Sequence, residues 1–406
     1  KKKQPIKMKT KITNIGSIVT WSEEDQKVLK LENTEILIDN EMISDIAEKV
    51  DGAEIEIDAD RAMVTPGFVD SHTHPIFVGN RSNEFSMRVD GKSYKEIAEK
   101  GGGIISSIKG VRKASEDQLF EYGMDHLEIF LAHGTTTIEA KSGYGLDLES
   151  EIKSLRVIKK LNEESVLDVI PTFLGAHSFP PEYSDNHEGF VDLVCGEMIP
   201  AIASENLAKY CDVFCEDGYF TVNQSRRILE TAKEFGIAPR LHADEFKDSG
   251  AAELAAEIGA VSADHLMAAS EKGIKAMILS GVIATILPGT TLFLGMNKYV
   301  DGRKLIDSGC DVSLATDFNP GSCTIQSMPL IISLAVLYCG MTIEEAFKAA
   351  TYTGAKSIGL KNRAGQIKSS CFADLLFWES ENLNEIPYWM GSDRLISIMK
   401  RGKLLE

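Results

Sequence analysis

Through the middle of the chain, short apolar runs alternate with longer stretches whose apolar residues recur every three or four positions. The runs MVTPGFVD (63–70), TTTIEA (135–140), LDVIPTFLG (167–175) and CDVFCE (211–216) have strand length, as do APRLHA (238–243), VSADHL (261–266), VIATIL (282–287) and DVSLAT (311–316). Between them, EDQLFEYGMDHLEIFLAHG, ESEIKSLRVIKKLNEE and QSRRILETAKEFG follow helical spacing and often end in Gly. Eight β-then-α units in series predict an α/β fold, a closed (β/α)8 TIM barrel, with a doubly wound sheet as the alternative. The count favours the barrel. The two ends read as β structure instead. EILIDNEMISDIAE is hairpin-like around Asp39-Asn40, and ADLLFWE with RLISIMKRGKLLE supplies further strands near the other end. Neither piece has enough strands to stand alone. The expectation is one small β-sandwich-like domain built from both termini (1–63 and 358–406) around a barrel spanning 64–357.

Composition narrows the setting. At 406 residues, with 43% hydrophobic and 26% charged, the chain can bury a large core without disulfides or a structural metal. Any metal would therefore serve chemistry. With 43 basic and 61 acidic residues, the formal net charge of −18 disfavours nucleic acid and anionic membranes as partners. The basic KKKQPIKMKTK segment is too short to change that. Seven cysteines, an odd number without a CxxC pair, read as free thiols in a reducing cytoplasm. No apolar span is long enough to cross a membrane.

Barrel enzymes place their chemistry at the C-terminal ends of the strands. Here the first strand runs into HTH, giving His72 and His74, and the second into EAKSGYG, with Lys141 and Tyr144. The third ends in His177, the fourth in Glu216 and Asp217, and the fifth supplies His242 and Glu245. The sixth ends in His265 and the eighth in Asp317, while the seventh, ILPGT, offers no ionisable group. Five of the eight histidines thus converge on one rim. His126, His133 and His187 fall in predicted helices or a loop and receive no role. Residues i and i+2 of a strand share a face, so His72 and His74 point the same way. With His242 and Asp317 they make a nitrogen-and-oxygen set suited to zinc, or to iron(II), better than to calcium or magnesium.

This order of motifs resembles the amidohydrolase superfamily over nearly the whole chain: HxH, a later His on strand five, His on strand six and Asp on strand eight. The resemblance implies hydrolysis with metal-activated water, the metal held by His72, His74, His242 and Asp317. The carboxylated lysine of binuclear members would stand at the end of strand four, where this chain has Glu216 and Asp217, so one metal is expected. HTHPIFVGNRSNEF, KGGGI, KSGYGL, TFLGAH, LHADEF and ATDFNPGS together resemble a branch that opens a small lactam bearing a propanoate. That resemblance implies substrate contacts at Arg81, Tyr94, Tyr144, His177, Glu245, Asn319, Gly321 and Ser322. It implies polar or proton-transfer roles for Glu245, His265 and Asp317, with the choice of proton carrier open. Arg81 would offer a bidentate fork to the carboxylate, and the NPGS turn its backbone N–H groups. The plainer reading of that turn is turn chemistry alone. A homodimer is the expected assembly. The rival function is a mononuclear deaminase acting on a nucleobase-like ring.

Overall fold

The computed structural model describes residues 9–92, 96 and 102–405. Tyr94, and with it Lys100 and Gly101 of the KGGGI stretch, lies outside the described residues. The chain forms two compact units, one drawn from Lys1–Asp70, Phe130–Thr137 and Ser327–Glu406, the other from Ser71–Ile129 and Ile138–Gln326.

The first unit carries two sheets. Strands β1 (Lys9–Thr13), β4 (Glu35–Asp39), β5 (Met42–Ala47) and β6 (Ile55–Asp58) form a four-stranded sheet in the order β5-β4-β1-β6. The β4–β5 hairpin turns where the sequence suggested, with Asn40 at φ 59°, a conformation Asn tolerates. The second sheet has the order β18-β17-β16-β7-β2-β3, from β2 (Ser17–Ser22), β3 (Lys27–Leu31), β7 (Met63–Pro66), β16 (Leu375–Trp378), β17 (Leu395–Lys400) and β18 (Lys403–Leu405). β7 and β16 pair antiparallel from Pro66↔Leu375 to Met63↔Trp378, so the two ends of the chain share one sheet, as expected. Ile12, Ile36, Val64, Leu375, Phe377 and Met399 are among the side chains buried together in its core.

The run MVTPGFVD is two strands rather than one. Met63–Pro66 belongs to the terminal sheet, and Phe68–Thr73 (β8) opens the barrel. Gly67 is the break. Its N–H donates to the Asp374 carbonyl at 2.9 Å. A Cβ there would lie 2.2 Å from Thr136 Oγ1, so no larger residue fits. Apolar patterning was blind to this because both pieces are fully buried.

The barrel sheet continues through β9 (Thr135–Lys141), β10 (Asp168–Ala176), β11 (Tyr210–Cys215), β12 (Ala238–Ala243), β13 (Ser262–His265), β14 (Ile283–Ile286) and β15 (Val312–Leu314). Its eight strands run in sequence order, the pattern expected of a barrel rather than a doubly wound sheet. Beyond β8 and β15 the rim closes: Thr73 bridges Phe318, Asp317 N–H donates to the His72 carbonyl at 3.1 Å, and His74 N–H to that of Phe318 at 2.8 Å. The intervening helices Glu116–Ala132, Leu148–Glu164 and Val222–Glu234 fall where helical spacing placed them. No described helix is long and apolar enough to cross a membrane.

In the terminal unit, Lys400 Nζ lies 2.7 Å from Asp374 Oδ2, both side chains being buried. Truncating one partner of a buried pair strands the other's charge. Lys400→Met is therefore expected to lower unfolding free energy by about 3–5 kcal/mol in a denaturant titration. A loss below about 1 kcal/mol, as for an exposed pair, would show that the pair is effectively solvated.

Candidate active site

Five histidines meet at the C-terminal rim. His72 Nε2 and His74 Nε2 lie 3.2 Å apart, and Asp317 Oδ1 is 3.5 Å and 3.3 Å from them. The His242 ring stands 4.5 Å from that of His72, with His265 5.6 Å from His72 and His177 5.2 Å from His74. The four expected ligands are thus brought together, with His177 and His265 beside them. Asp317 at φ 55° and His265 at φ 78° both hold left-handed backbone conformations, unusual outside Gly. These turn their side chains out of the strand ends at an energetic cost the surrounding rim must offset.

The donor set fits a cation. Ligands 2.0–2.1 Å from a tetrahedral zinc stand about 3.4 Å from one another. Two imidazole nitrogens and a carboxylate oxygen at 3.2–3.5 Å match that spacing. The carboxylates behind them agree. Asp264 Oδ2 lies 2.7 Å from His72 Nδ1, and Asp212 Oδ2 3.1 Å from His242 Nδ1. The first is a hydrogen bond that holds His72 with Nε2 toward His74 and Asp317, the arrangement typical of metal-ligating histidines. Burial and the Lys141 charge oppose protonation of His72, yet Asp264 and Asp317 push it up to about 9. A cation among these groups would take over that role.

Beneath them is a set of buried charges. Lys141 Nζ is 2.8 Å from both Glu139 and Asp212, and Arg240 is 3.4 Å from Asp264. Lys141 is therefore a paired lysine. Counting Asp317, two cations face four carboxylates in this cluster. One divalent cation would balance it with the imidazoles neutral. Glu216 does not point at this cluster as a bridging ligand. Its oxygens accept from Asp217 N, Phe246 N and Ser249 Oγ, anchoring the loops around it. Sequence reading missed Glu139, Asp212 and Asp264. The signal was there: a charge inside an apolar strand needs a buried partner. After the seventh strand, in helix Pro288–Phe293, Thr290 Oγ1 donates to Asp317 Oδ2 at 2.6 Å.

A cavity of about 730 Å³ opens over the cluster, lined by His74, Arg81, Tyr144, His177, Glu245, His265, Asp317, Asn319, Gly321 and Ser322. Every expected contact among the described residues is on its wall. Two behave differently from the expectation. Arg81 is not an open fork, because Nε and Nη2 donate to Glu84 Oε2 at 2.8 and 2.6 Å. Glu84 orients it, and Gly321 gives its Nη1 room, since a Cβ there would lie 2.4 Å away. The N–H groups of Gly321 and Ser322 donate to Asn319 Oδ1 at 2.8 and 2.7 Å, so the turn satisfies itself and does not present them to a ligand. Two unassigned residues share the wall. His126 has its Nδ1 2.9 Å from the Pro75 carbonyl, and Arg88 stacks over Phe85 and Phe293.

Burial divides the titratable groups on the wall. It pushes His177 down to about 4 and His265 to about 3, so both are neutral at pH 7. It raises the Tyr144 hydroxyl, which stays a phenol. Burial, then the charges of Asp317 and Glu216, raise Glu245 well above the carboxylate range. Asp317, although buried, is held far below it by His72 and His74.

The amidohydrolase family profile matches residues 63–405. The imidazolonepropionase of Geobacillus kaustophilus (strain HTA426) is 45% identical over 401 residues, covering 98% of this chain and 93% of that one. That of Clostridium tetani (strain Massachusetts / E88) is 43% identical over 408 residues, covering 97% of each. The chain belongs to the imidazolonepropionases of the amidohydrolase family. Solved structures confirm the fold at lower identity. A Xaa-Pro dipeptidase with bound methionine has a TM-score of 0.73 at 15% identity, covering 98% of this chain and 100% of that one. A guanine deaminase from C. acetobutylicum has a TM-score of 0.71 at 14%, with the same coverage. The family is generally metal-dependent, which the histidine and aspartate groups of this imidazolonepropionase site accommodate.

If Asp264 orients His72, Asp264→Asn should weaken cation binding about 10- to 100-fold, the usual cost of losing such a support. Chelator competition on the folded protein measures this directly. Unchanged affinity would mean His72 keeps its orientation without the carboxylate.

Proposed function

We propose that this site hydrolyses the ring amide C–N bond of 4-imidazolone-5-propanoate to N-formimidoyl-L-glutamate in histidine degradation, with one divalent cation held by His72, His74, His242 and Asp317. The observation that carries this reading is the joining of two features in one cavity: the His72–His74–Asp317 cluster at its floor and the Arg81 guanidinium on its wall. A cation explains the first and a substrate carboxylate the second. Imidazole and carboxylate donors favour zinc, then iron(II). The assembly is a homodimer in this reading, and exposed Leu337, Tyr338 and Tyr388 offer apolar surface for it. Seven free cysteines suit the cytoplasm.

When bound, a cation of this kind would lower the pKa of water to roughly 7, making hydroxide available at neutral pH. The chain's own groups do the rest. Glu245, at the cavity wall with a raised pKa, accepts the proton of the attacking water and returns it to the departing ring nitrogen. His265, a neutral imidazole, donates an N–H toward the oxygen that gains charge at the carbonyl carbon. Asp317 is engaged by His72, His74 and Thr290, which suits a ligand better than a proton shuttle. Arg81 binds the propanoate, while Tyr144 and His177 set the ring's orientation. His177 donates Nδ1–H to the Gly143 carbonyl at 2.9 Å, so its Nε2 is an acceptor. Asn319 and Ser322 shape the wall against which Arg81 rests.

The deciding experiment supplies fresh 4-imidazolone-5-propanoate to metal-replete and chelated protein and follows N-formimidoyl-L-glutamate and ammonia. Ring-opened product without ammonia, lost on chelation and restored by zinc, is expected. Ammonia release would favour deamination of a ring amine instead. Arg81→Lys replaces a planar fork with a point charge and breaks the paired contact with Glu84. It should raise KM about tenfold with kcat within about threefold, the mark of lost uniform binding. An unchanged KM would remove Arg81 from the carboxylate site.

A further inference from the structure

The loop after the second barrel strand, SGYGL at 142–146, carries Tyr144 into the cavity. Loops of this length ordinarily move, and nothing in Gly-Tyr-Gly favours one conformation. Yet two side chains from outside it engage five of its backbone groups. The buried carboxylate of Glu151, in the first turns of helix Leu148–Glu164, reaches back under the loop. It accepts from Gly143 N at 3.1 Å, Gly145 N at 2.8 Å and Leu146 N at 2.9 Å. From the other side, Arg112 takes the carbonyls: Nε donates to Gly145 O at 2.7 Å and Nη2 to Leu146 O at 3.2 Å. Arg112 is in turn fixed by Asp147 at 2.8 Å and Glu182 at 2.6 Å. A third carbonyl, Gly143 O, accepts from His177 Nδ1.

The glycines follow from this bracing. Gly143 sits at φ 108°, and a Cβ there would come 2.9 Å from Leu174 O and 3.2 Å from His177 Nδ1. A Cβ on Gly145 would lie 2.6 Å from Ser150 Cβ. The loop is pressed onto the helix start and the third strand's end, and at Gly143 the left-handed backbone itself also calls for glycine.

We propose that Glu151 and Arg112 are positioning residues: together they clamp the 142–146 loop so that Tyr144 and the Nε2 acceptor of His177 are presented to the substrate in one fixed arrangement. Neither residue lines the cavity, and both act through the loop. The proposal rests on the reading above in which Tyr144 and His177 contact the substrate. Its chemical logic is that a carboxylate can accept several N–H groups at once, while an amide of the same shape cannot. Glu151→Gln puts an NH2 group against backbone N–H donors and releases at least one of them. Arg112, partly exposed, can be replaced by Met with little threat to folding.

The test measures KM, kcat and bound metal for Glu151→Gln and Arg112→Met, with Tyr144→Phe and His177→Asn in parallel. Both clamp variants should raise KM about fivefold or more, leave kcat within about threefold and keep the full metal content, since orientation and not the cation is disturbed. Arg112→Lys should recover part of the loss by restoring one donor. Nitrogen NMR of the His177 ring supplies a readout that a merely structural role would not move: a single Nδ1–H tautomer in the parent chain and a tautomer mixture in the variants. If Glu151→Gln does not fold, Arg112→Met decides. A shifted KM in Tyr144→Phe or His177→Asn together with an unchanged KM and tautomer in the clamp variants would overturn the clamp alone. No shift in any of the four would overturn both the clamp and the assignment of Tyr144 and His177 to substrate.

Discussion

Lys141 and Arg240 are buried inside the sheet, each within 3.4 Å of a carboxylate. Charges in such a place must be matched, because the interior screens them poorly and desolvation is costly. Glu139 and Asp212 hold Lys141, Asp264 faces Arg240, and Asp264 and Asp212 also lie 2.7 and 3.1 Å from His72 and His242. The same carboxylates therefore hold the fold's buried cations and aim its imidazoles. Orientation of the rim is a by-product of charge matching below it. Arg240 Nη2 also donates to the Ser71 carbonyl at 2.9 Å, tying the fifth strand's charge to the first strand's backbone just before His72.

That arrangement limits what the site can hold. With the imidazoles neutral, the cluster is two positive charges short of balance. One divalent cation supplies them. A second would leave the cluster positive unless Glu245 were ionised, and Glu216 is committed to three neighbours. Lys141 cannot serve as a bridging ligand while it bonds two carboxylates. Charge and geometry both favour a single ion.

How much of this was written in the sequence depends on the kind of interaction. The barrel was legible because eight apolar runs with helices between them admit few packings, and the rim histidines were legible because they end those runs. The break at Gly67 was not, since both halves of MVTPGFVD are buried and only contact with Thr136 separates them. Arg81 looked like an open fork because Glu84 lies three residues on, a spacing at which helical neighbours meet but which says nothing of the cavity. The NPGS turn offered two readings, and the local one prevailed: Asn319 takes the N–H groups itself. Pairings such as Lys141–Asp212 and Glu151 with its loop join residues whose relation is set by the fold or by a helix's direction, not by pattern.

The two carboxyl groups nearest the chemistry have been driven apart. Glu245 and Asp317 are both buried on one wall, and burial alone would raise both. Asp317 escapes because His72, His74 and Thr290 all engage it, which favours its ionised form. Glu245 has no such support. Its nearest basic group, His265 Nδ1, stands 3.6 Å off, beyond hydrogen-bond reach, and the Asp317 charge disfavours a second anion beside it. One carboxyl is thereby fixed as an anion, fit to hold a cation and unfit to carry a proton at neutral pH. The other is pushed toward its protonated form by burial and by the Asp317 charge. A lactam hydrolysis that takes a proton from water and gives it to nitrogen needs one group of each kind, and the environment, rather than the residue type, decides which is which.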